Sequence, residues 1–275
     1  MDDRLVSVLQ WFDLRARVFQ AGPLCHTATF DAGDGLGYIH VLRAGRMRVE
    51  TAGQAPALMN EPGLLFYMTP TTHQLLPEGE GAELVCASFE FGAGMHNPLV
   101  LALPEKVLIP LADLPTLGAT LDILFNEASE NHCGRQAILD RLCEVVIIQL
   151  LRALMDQGRM SFGLLAGLAD PRLARAINAI HADPARAWTL EELASIATMS
   201  RARFAANFRA TVGTTPMVYV SEWRLSVART LLRRGRSVQH AADAVGYGSA
   251  SALSRAFAAH SGVSPREWKQ IQEGQ

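Results

Sequence analysis

The sequence predicts an α+β chain: a small antiparallel β-barrel or sandwich in front, a helical appendage behind it, and an all-α half at the C-terminus. Three observations carry this expectation. Strand-like runs recur at intervals of roughly ten residues through the front of the chain. After Pro110 the hydrophobic period changes from that of a strand to that of a helix. The C-terminal part repeats itself: Ser200, Phe204, Phe208, Gly213 and Pro216 recur as Ser249, Leu253, Phe257, Gly262 and Pro265, each 49 positions later.

The 275 residues suggest two domains of ordinary size. With 49% hydrophobic and 19% charged residues, the chain reads as globular rather than disordered. No apolar run approaches the length of a bilayer span. The start, MDDRLVSVLQWFDLRARVF, is acidic and amphipathic rather than leader-like, so the expected compartment is the cytoplasm. Cys25, Cys86, Cys133 and Cys143 show neither a CxxC nor a metal-ligand spacing, and free thiols are expected in a reducing compartment. The net charge of −2 hides a division. From Pro171 onward there are 14 Lys and Arg against 7 Asp and Glu, a net of +7; Met1–Asp170 carries −9. A basic module behind an acidic one points to a polyanion-binding half.

In chain order, YIHVLRAGRMRVET (38–51) reads as two strand-like runs around a turn at Ala44-Gly45. GLLFYMTPTTHQLL (63–76) reads as an apolar run, a turn and a return. In AELVCASFEF (82–91) the alternation sets Val85, Ala87, Phe89 and Phe91 on one buried face. Beyond Pro110, DLPTLGATLDILFNEASEN and GRQAILDRLCEVVIIQLLRALMDQ are helical. The second carries apolar residues on more than one face and so needs two surfaces to cover it, its own barrel and either the chain's interior or a partner subunit. GRMSFGLLAGLADP is glycine-rich and closes on Asp-Pro, which makes it a connector. The expected organisation is a barrel at 1–110, a helical linker and candidate dimerisation region at 111–157, a connector at 158–170 and a basic helical domain at 171–275.

Helices are expected at Pro171–Ala182, Thr189–Ala197, Ser200–Val212, Pro216–Arg234, Val238–Val245 and Ser249–His260. Thr189 and Glu192 have capping-box spacing. Leu190, Leu193, Ala194 and Ala197 face inward; after a short break Ser200 caps a helix whose buried stripe is Phe204, Phe208 and Val212. This is a helix-turn-helix pattern, whose second helix enters a major groove. In the copy, Val238, Ala241, Ala242 and Val245 pack inward, Gly246 makes the break, and Ser249 caps the next helix. The outward residues Arg201, Arg203, Asn207 and Arg209 in the first unit, and Ser249, Ser251, Ser254 and Arg255 in the second, are the candidate DNA contacts.

VQHAADAVGYGSASALSRAFAAHSGVSPREWK resembles the second-motif signature of the AraC/XylS family of transcription regulators, through Gly246-Tyr247, Ser249, Ser251, Ser254-Arg255, Phe257, Gly262, Pro265 and Trp268. Leu253 departs from the family's usual Phe at that position. The resemblance implies a sequence-specific DNA-binding regulator, an activator by expectation, with double-stranded DNA and RNA polymerase as partners, a homodimer, and no membrane. It places base contacts on Arg201, Ala202, Ala205 and Ala206, and on Ala250, Ser251, Ser254 and Arg255. Alanine offers a base only van der Waals contact, so the first helix reads through Arg201 and Arg203 or holds phosphates.

EPGLLFYMTPTTHQL and LVCASFEF…NPLVLALPEKVLIP resemble the cupin-type effector domain of one AraC subfamily, that of a reactive-chlorine-responsive regulator. That resemblance implies Cys25, next to His26, and Cys86 as candidate redox sensors, joined on oxidation in a disulfide; a small organic effector is the other input it allows. Cys133 and Cys143 are expected to be packing residues. His40 and His73 are the only plausible ligands from these strands, too few for a catalytic metal, so neither a metal nor another cofactor is expected. The competing reading is a cupin-type metalloenzyme fused to a helical domain.

Overall fold

The computed structural model describes residues 3–92, 97, 100, 104–158, 160 and 162–273; parts of the Asn97–Pro110 run and of the connector lie outside these. The chain divides into two compact units. One comprises Leu14–Phe91 and Leu103–Gln157; the other comprises Met1–Asp13, Gly92–Ala102 and Gly158–Gln275.

The first unit is built on strands β1 (Leu14–Leu24), β2 (Ala28–Phe30), β3 (Gly37–Thr51), β4 (Ala57–Met59), β5 (Gly63–Tyr67), β6 (His73–Phe91) and β7 (Lys106–Pro110). They form one antiparallel sheet in the order β1-β6-β3-β5-β7, with β2 also on β6 and β4 also on β3. The hydrogen-bonded path does not return to its start, so among the described residues the expected barrel is an unclosed sheet. Tyr38–Thr51 is a single strand rather than two runs around a turn. Gly45, at φ +87°, lies where the β3–β6 register jumps from Gly45↔Ala82 to Arg46↔Glu78. A Cβ there would stand 2.3 Å from the Gly81 carbonyl oxygen. The turn signal is absorbed as a bulge that bends the strand without ending it.

Strand β6 is covered on both faces, not one. Leu84 and Cys86 join Tyr38, Leu42, Met47, Leu65 and Tyr67 in one cluster. Val85, Ala87 and Phe89 are buried on the opposite side, where Phe89 stacks on Phe66 at 4.8 Å. Helices α2 (Gly118–Ser129) and α3 (Arg135–Asp156) complete the unit. Strand β1 ends the sheet, and an edge leaves backbone groups unpaired. Here Gln136, Asp140 and Glu144, at i, i+4 and i+8 on α3, satisfy them. The Val18 amide donates to Asp140 Oδ1 (2.7 Å), the Ala16 amide to Glu144 Oε1 (3.3 Å), and Gln136 Nε2 donates to the Val18 carbonyl (2.7 Å). Leu139, Cys143, Val146, Ile147 and Leu150 are buried, while Ile138 and Val145 each remain 42% exposed.

The second unit contains α1 (Val6–Trp11), α4 (Leu164–Ala169), α5 (Pro171–Ala182), α6 (Leu190–Ile196), α7 (Arg201–Val212), α8 (Pro216–Arg233), α9 (Val238–Ala244), α10 (Ala250–Ser261) and α11 (Pro265–Glu273). Side-chain caps set these boundaries; those at Thr189, Ser200 and Ser249 are the ones the sequence shows, and those at Asp170 and Ser237 are added by the structure. Asp170 accepts from the Arg172 and Leu173 amides, Thr189 and Glu192 form a capping box, and Ser200, Ser237 and Ser249 cap α7, α9 and α10. Gly213 and Gly262 end α7 and α10 in the left-handed conformation, and Pro216 and Pro265 open the next helices. The repeated Phe-x4-Gly-x2-Pro frame is therefore a C-cap followed by a helix start. Residues 3–13 pack in this unit although they precede the sheet in the chain. Phe12 is fully buried edge-on to Trp223 (5.2 Å), Trp11 Nε1 donates to the His181 carbonyl (3.0 Å), and Asp13 pairs with Arg234 (2.9 Å). Among the described residues, no helix is long and apolar enough to cross a membrane.

Candidate nucleic-acid interface

The two helix pairs α6–α7 and α9–α10 cross through small buried residues, Ala194 and Ala197 in the first and Ala241 and Ala242 in the second. Phe204 and Phe208, then Leu253 and Phe257, anchor the second helix of each pair with no exposed surface. The copies are not identical. Four residues separate α6 from α7, and five separate α9 from α10, so α9 follows α6 by 48 positions while α10 follows α7 by 49. The left-handed residue of each turn obeys the shorter spacing: Thr198 at φ 56° and Gly246 at φ +77°.

Gly246 has a second reason to be glycine. A Cβ there would lie 2.3 Å from the Ala185 carbonyl oxygen. The loop carrying Ala185 is held by Arg224 of α8, whose Nε and Nη2 donate to the Pro184 and Arg186 carbonyls, each at 2.8 Å. Spacer helix α8, 18 residues and about 27 Å long, thus fixes the loop against which the second turn closes.

Of the residues read as DNA contacts, Arg201, Arg203 and Arg209 are exposed on α7, and Ser251 and Arg255 are exposed on α10. Arg201 Nη1 lies 2.7 Å from Glu191 Oε1, an exposed pair that a phosphate can exchange at little cost. Ser254 is half-buried. Ser249 spends its hydroxyl as the α10 cap, accepting from the Ala252 amide at 3.1 Å. Asn207 is half-buried and its Nδ2 faces Asp170 Oδ2 at 3.5 Å, so it looks toward the start of α5. Ala202 and Ala206 are exposed, as the sequence pattern implied.

Arg229 of α8 was not legible as a site residue. It is 1% exposed; its guanidinium lies over the Phe257 ring at 5.1 Å, and Nη2 donates to Ser261 Oγ at 2.6 Å. Burial lowers its pKa to about 10. It holds the C-terminal end of α10, where a cation also meets the negative end of the helix dipole. Nothing in the sequence distinguishes it from the neighbouring surface arginines Arg233 and Arg234.

In the sheet unit, Cys25 and Cys133 are exposed, and Cys86 and Cys143 are buried. Desolvation, with a smaller contribution from Cys143, drives the Cys86 thiol far above its ordinary range. Burial, with Asp140 and Glu144 beside it, pushes Cys143 up to about 12. The β1–β6 register pairs Leu24 with Ala82 and Gln20 with Cys86. Cys25 stands beyond Ala82, so about 13 Å or more of strand separates it from Cys86. A disulfide needs its Cα atoms within about 7 Å, so the Cys25–Cys86 bridge does not fit this sheet.

His40 and His73 are brought together. Their Nε2 atoms lie 2.8 Å apart, His73 Nδ1 is 2.7 Å from the Thr71 carbonyl, and Phe30 and Tyr67 stack on His73. The carbonyl fixes a proton on His73 Nδ1, so His40 donates from Nε2. Burial lowers both pKa values. Among the described residues, no three His, Cys, Asp or Glu side chains converge as metal ligands.

Residues 3–156 match a family model described as Cupin, and residues 193–271 match one described as Helix-turn-helix domain. An AraC-like transcription regulator of Streptomyces lividans is 36% identical over 197 residues, covering 70% of this chain and 64% of its own. The chain thus spans just under two thirds of that relative's length. The RCS-specific HTH-type transcriptional activator RclR of Escherichia coli is 30% identical over 233 residues, covering 79% of this chain and 82% of its own. Among solved structures, ToxT of Vibrio cholerae O395 aligns over 95% of this chain and 98% of its own, at 12% identity and a TM-score of 0.42.

Proposed function

The chain belongs to the AraC family of helix-turn-helix transcriptional regulators, with a cupin-type front unit, and from that membership we propose that it binds specific operator DNA through α7 and α10 and regulates transcription in response to a signal received by the sheet unit. The observation that carries this reading is the pair of buttressed helix-turn-helix units whose outward faces hold Arg201, Arg203, Arg209, Ser251 and Arg255. Such a protein works where the chromosome and RNA polymerase are, in the cytoplasm. Arg255, exposed and midway along α10, is the base reader in this scheme. Its replacement by Ala costs about 1–3 kcal/mol of operator affinity and relaxes preference at one base pair. The test is titration of a duplex from the protein's own upstream region with wild type and Arg255→Ala at fixed salt. Unchanged affinity and unchanged base preference remove Arg255 from the interface.

The input we propose is an oxidant acting at Cys25, an accessible thiol of the sheet unit, supported by the RCS specificity named for the Escherichia coli relative RclR. Cys86, buried as a protonated thiol, is a packing residue in this scheme. Operator binding measured with and without mild hypochlorous acid, in wild type and Cys25→Ser, decides it. A response that survives the substitution moves the sensor elsewhere, and no response at all leaves a small organic effector as the input. We also propose that a second copy covers Ile138 and Val145, exposed seven residues apart on α3. A monomeric mass by sedimentation across the micromolar range sinks this dimer.

A further inference from the structure

Beside α7 lies a cleft of about 780 Å³ lined by Asp170, Arg172, Arg175, Met199, Arg203 and Asn207. Arg172 and Arg175 stand one turn apart on α5, and both are exposed, as is Arg203. None of the three makes an ion pair with a carboxylate among the described residues. The one acid in the cleft is committed: Asp170 Oδ1 accepts from the Arg172 and Leu173 amides at 2.8 and 3.1 Å, and Oδ2 faces Asn207. Three guanidinium groups and one occupied carboxylate leave the cleft with a net positive charge.

We propose that this cleft seats the DNA backbone flanking the groove read by α7, with Arg172 and Arg175 as phosphate contacts alongside Arg203. The inference rests on the regulator reading above and deepens it. Three observations favour duplex phosphate as the occupant. The cleft is continuous with α7 through Arg203 and Asn207. Of the four α7 positions that the family resemblance assigns to base contact, Arg201, Ala202, Ala205 and Ala206, three are alanines that donate no hydrogen bond to a base, so this half of the protein leans on backbone contacts for affinity. Guanidinium groups bind phosphate oxygens through a planar, bidentate fork.

The experiment compares wild type, Arg172→Ala/Arg175→Ala and the charge-keeping Arg172→Lys/Arg175→Lys as full chains, measuring duplex affinity across a range of salt. Each phosphate contact contributes about 0.9 to the slope of log affinity against log salt. Removing both arginines lowers the slope by roughly 2 and the affinity at low salt roughly 10–100-fold. Penalties for single base-pair changes stay as in wild type, and the lysine variant recovers most of the slope. Equal slopes in wild type and the alanine variant, with operator binding intact, overturn the proposal and leave the regulator reading standing. Sequence-indifferent binding by wild type that still loses slope in the alanine variant supports the phosphate seat while sinking the operator reading. A wild type that binds no duplex removes both. In a separate arm, inorganic phosphate that raises the thermal midpoint of wild type but not of the alanine variant, with no change in DNA affinity, assigns the cleft to a small anion and overturns the proposal.

Discussion

Gly246→Ala is a sharp test of how the second helix-turn-helix is held. Two costs arise at one methyl group. At φ +77° an L-residue with a Cβ loses about 1–2 kcal/mol relative to glycine. The same Cβ falls 2.3 Å from the Ala185 carbonyl oxygen, and that oxygen cannot simply retreat, because Arg224 pins the neighbouring carbonyls of Pro184 and Arg186. Relieving such an overlap costs about 1–3 kcal/mol. The lower entropy of the unfolded alanine chain returns roughly 0.4–1 kcal/mol. The net is a destabilisation of about 1–5 kcal/mol. Tryptophan fluorescence during urea unfolding is suited to measure it, because all four tryptophans, Trp11, Trp188, Trp223 and Trp268, lie in the helical unit. The control is Gly45→Ala, which meets the Gly81 carbonyl at the same 2.3 Å but in the sheet unit. It should lower the sheet's transition, followed by far-UV circular dichroism, and leave the tryptophan signal in place. If Gly246→Ala shifts the tryptophan-reported transition by less than about 1 kcal/mol, the close packing of the turn on the Ala185 loop is refuted.

Three further outcomes are expected. Phe12→Ala removes a fully buried ring from the helical unit and should cost about 3–5 kcal/mol in the same tryptophan-reported transition; a cost below about 1 kcal/mol means that residues 3–13 are not docked there. Thr198→Gly relieves a β-branched residue at φ 56° and should stabilise the helical unit by about 1 kcal/mol, whereas a loss shows that the Thr198 side chain makes compensating contacts. Burial holds His181 well below its ordinary value of 6.5. The unfolded chain therefore takes up a proton as pH falls through 6.5 while the folded chain does not, so stability falls with a slope of up to about 1.4 kcal/mol per pH unit. The unfolding midpoint of the helical unit should drop between pH 7 and pH 5, and a flat profile there contradicts a neutral, buried His181.

Much of the helical half could be read in advance because its instructions are local. A serine or threonine cap, an apolar residue at i and i+4, a C-terminal glycine and a proline opening the next helix act over a few residues each. That is why Ser200–Val212 and Pro216–Arg234 were placed to within a residue of α7 and α8. The outward positions of Arg201, Arg203, Arg209, Ser251 and Arg255 followed from the same periodicity. Asn207 did not, because Asp170 at the start of α5 claims it, and the Ser249 hydroxyl is spent on the cap that the sequence itself marks, accepting from the Ala252 amide.

What the tertiary structure decided is which distant groups meet. Strand alternation could mark one buried face of β6, but the second exists because Leu84 and Cys86 face a cluster drawn from β3 and β5. A one-dimensional pattern could not show that Cys25 and Cys86 sit too far along one ladder to bridge, because the separation depends on register. Nor could it show that Gly246 faces Ala185, that Arg229 lies under Phe257, or that Arg172 and Arg175 share a cleft with Arg203. Caps and periods are encoded in neighbouring residues and survive in any context that keeps the helix. Long-range contacts are set by how the packed elements close on one another, and the candidate DNA interface depends on both.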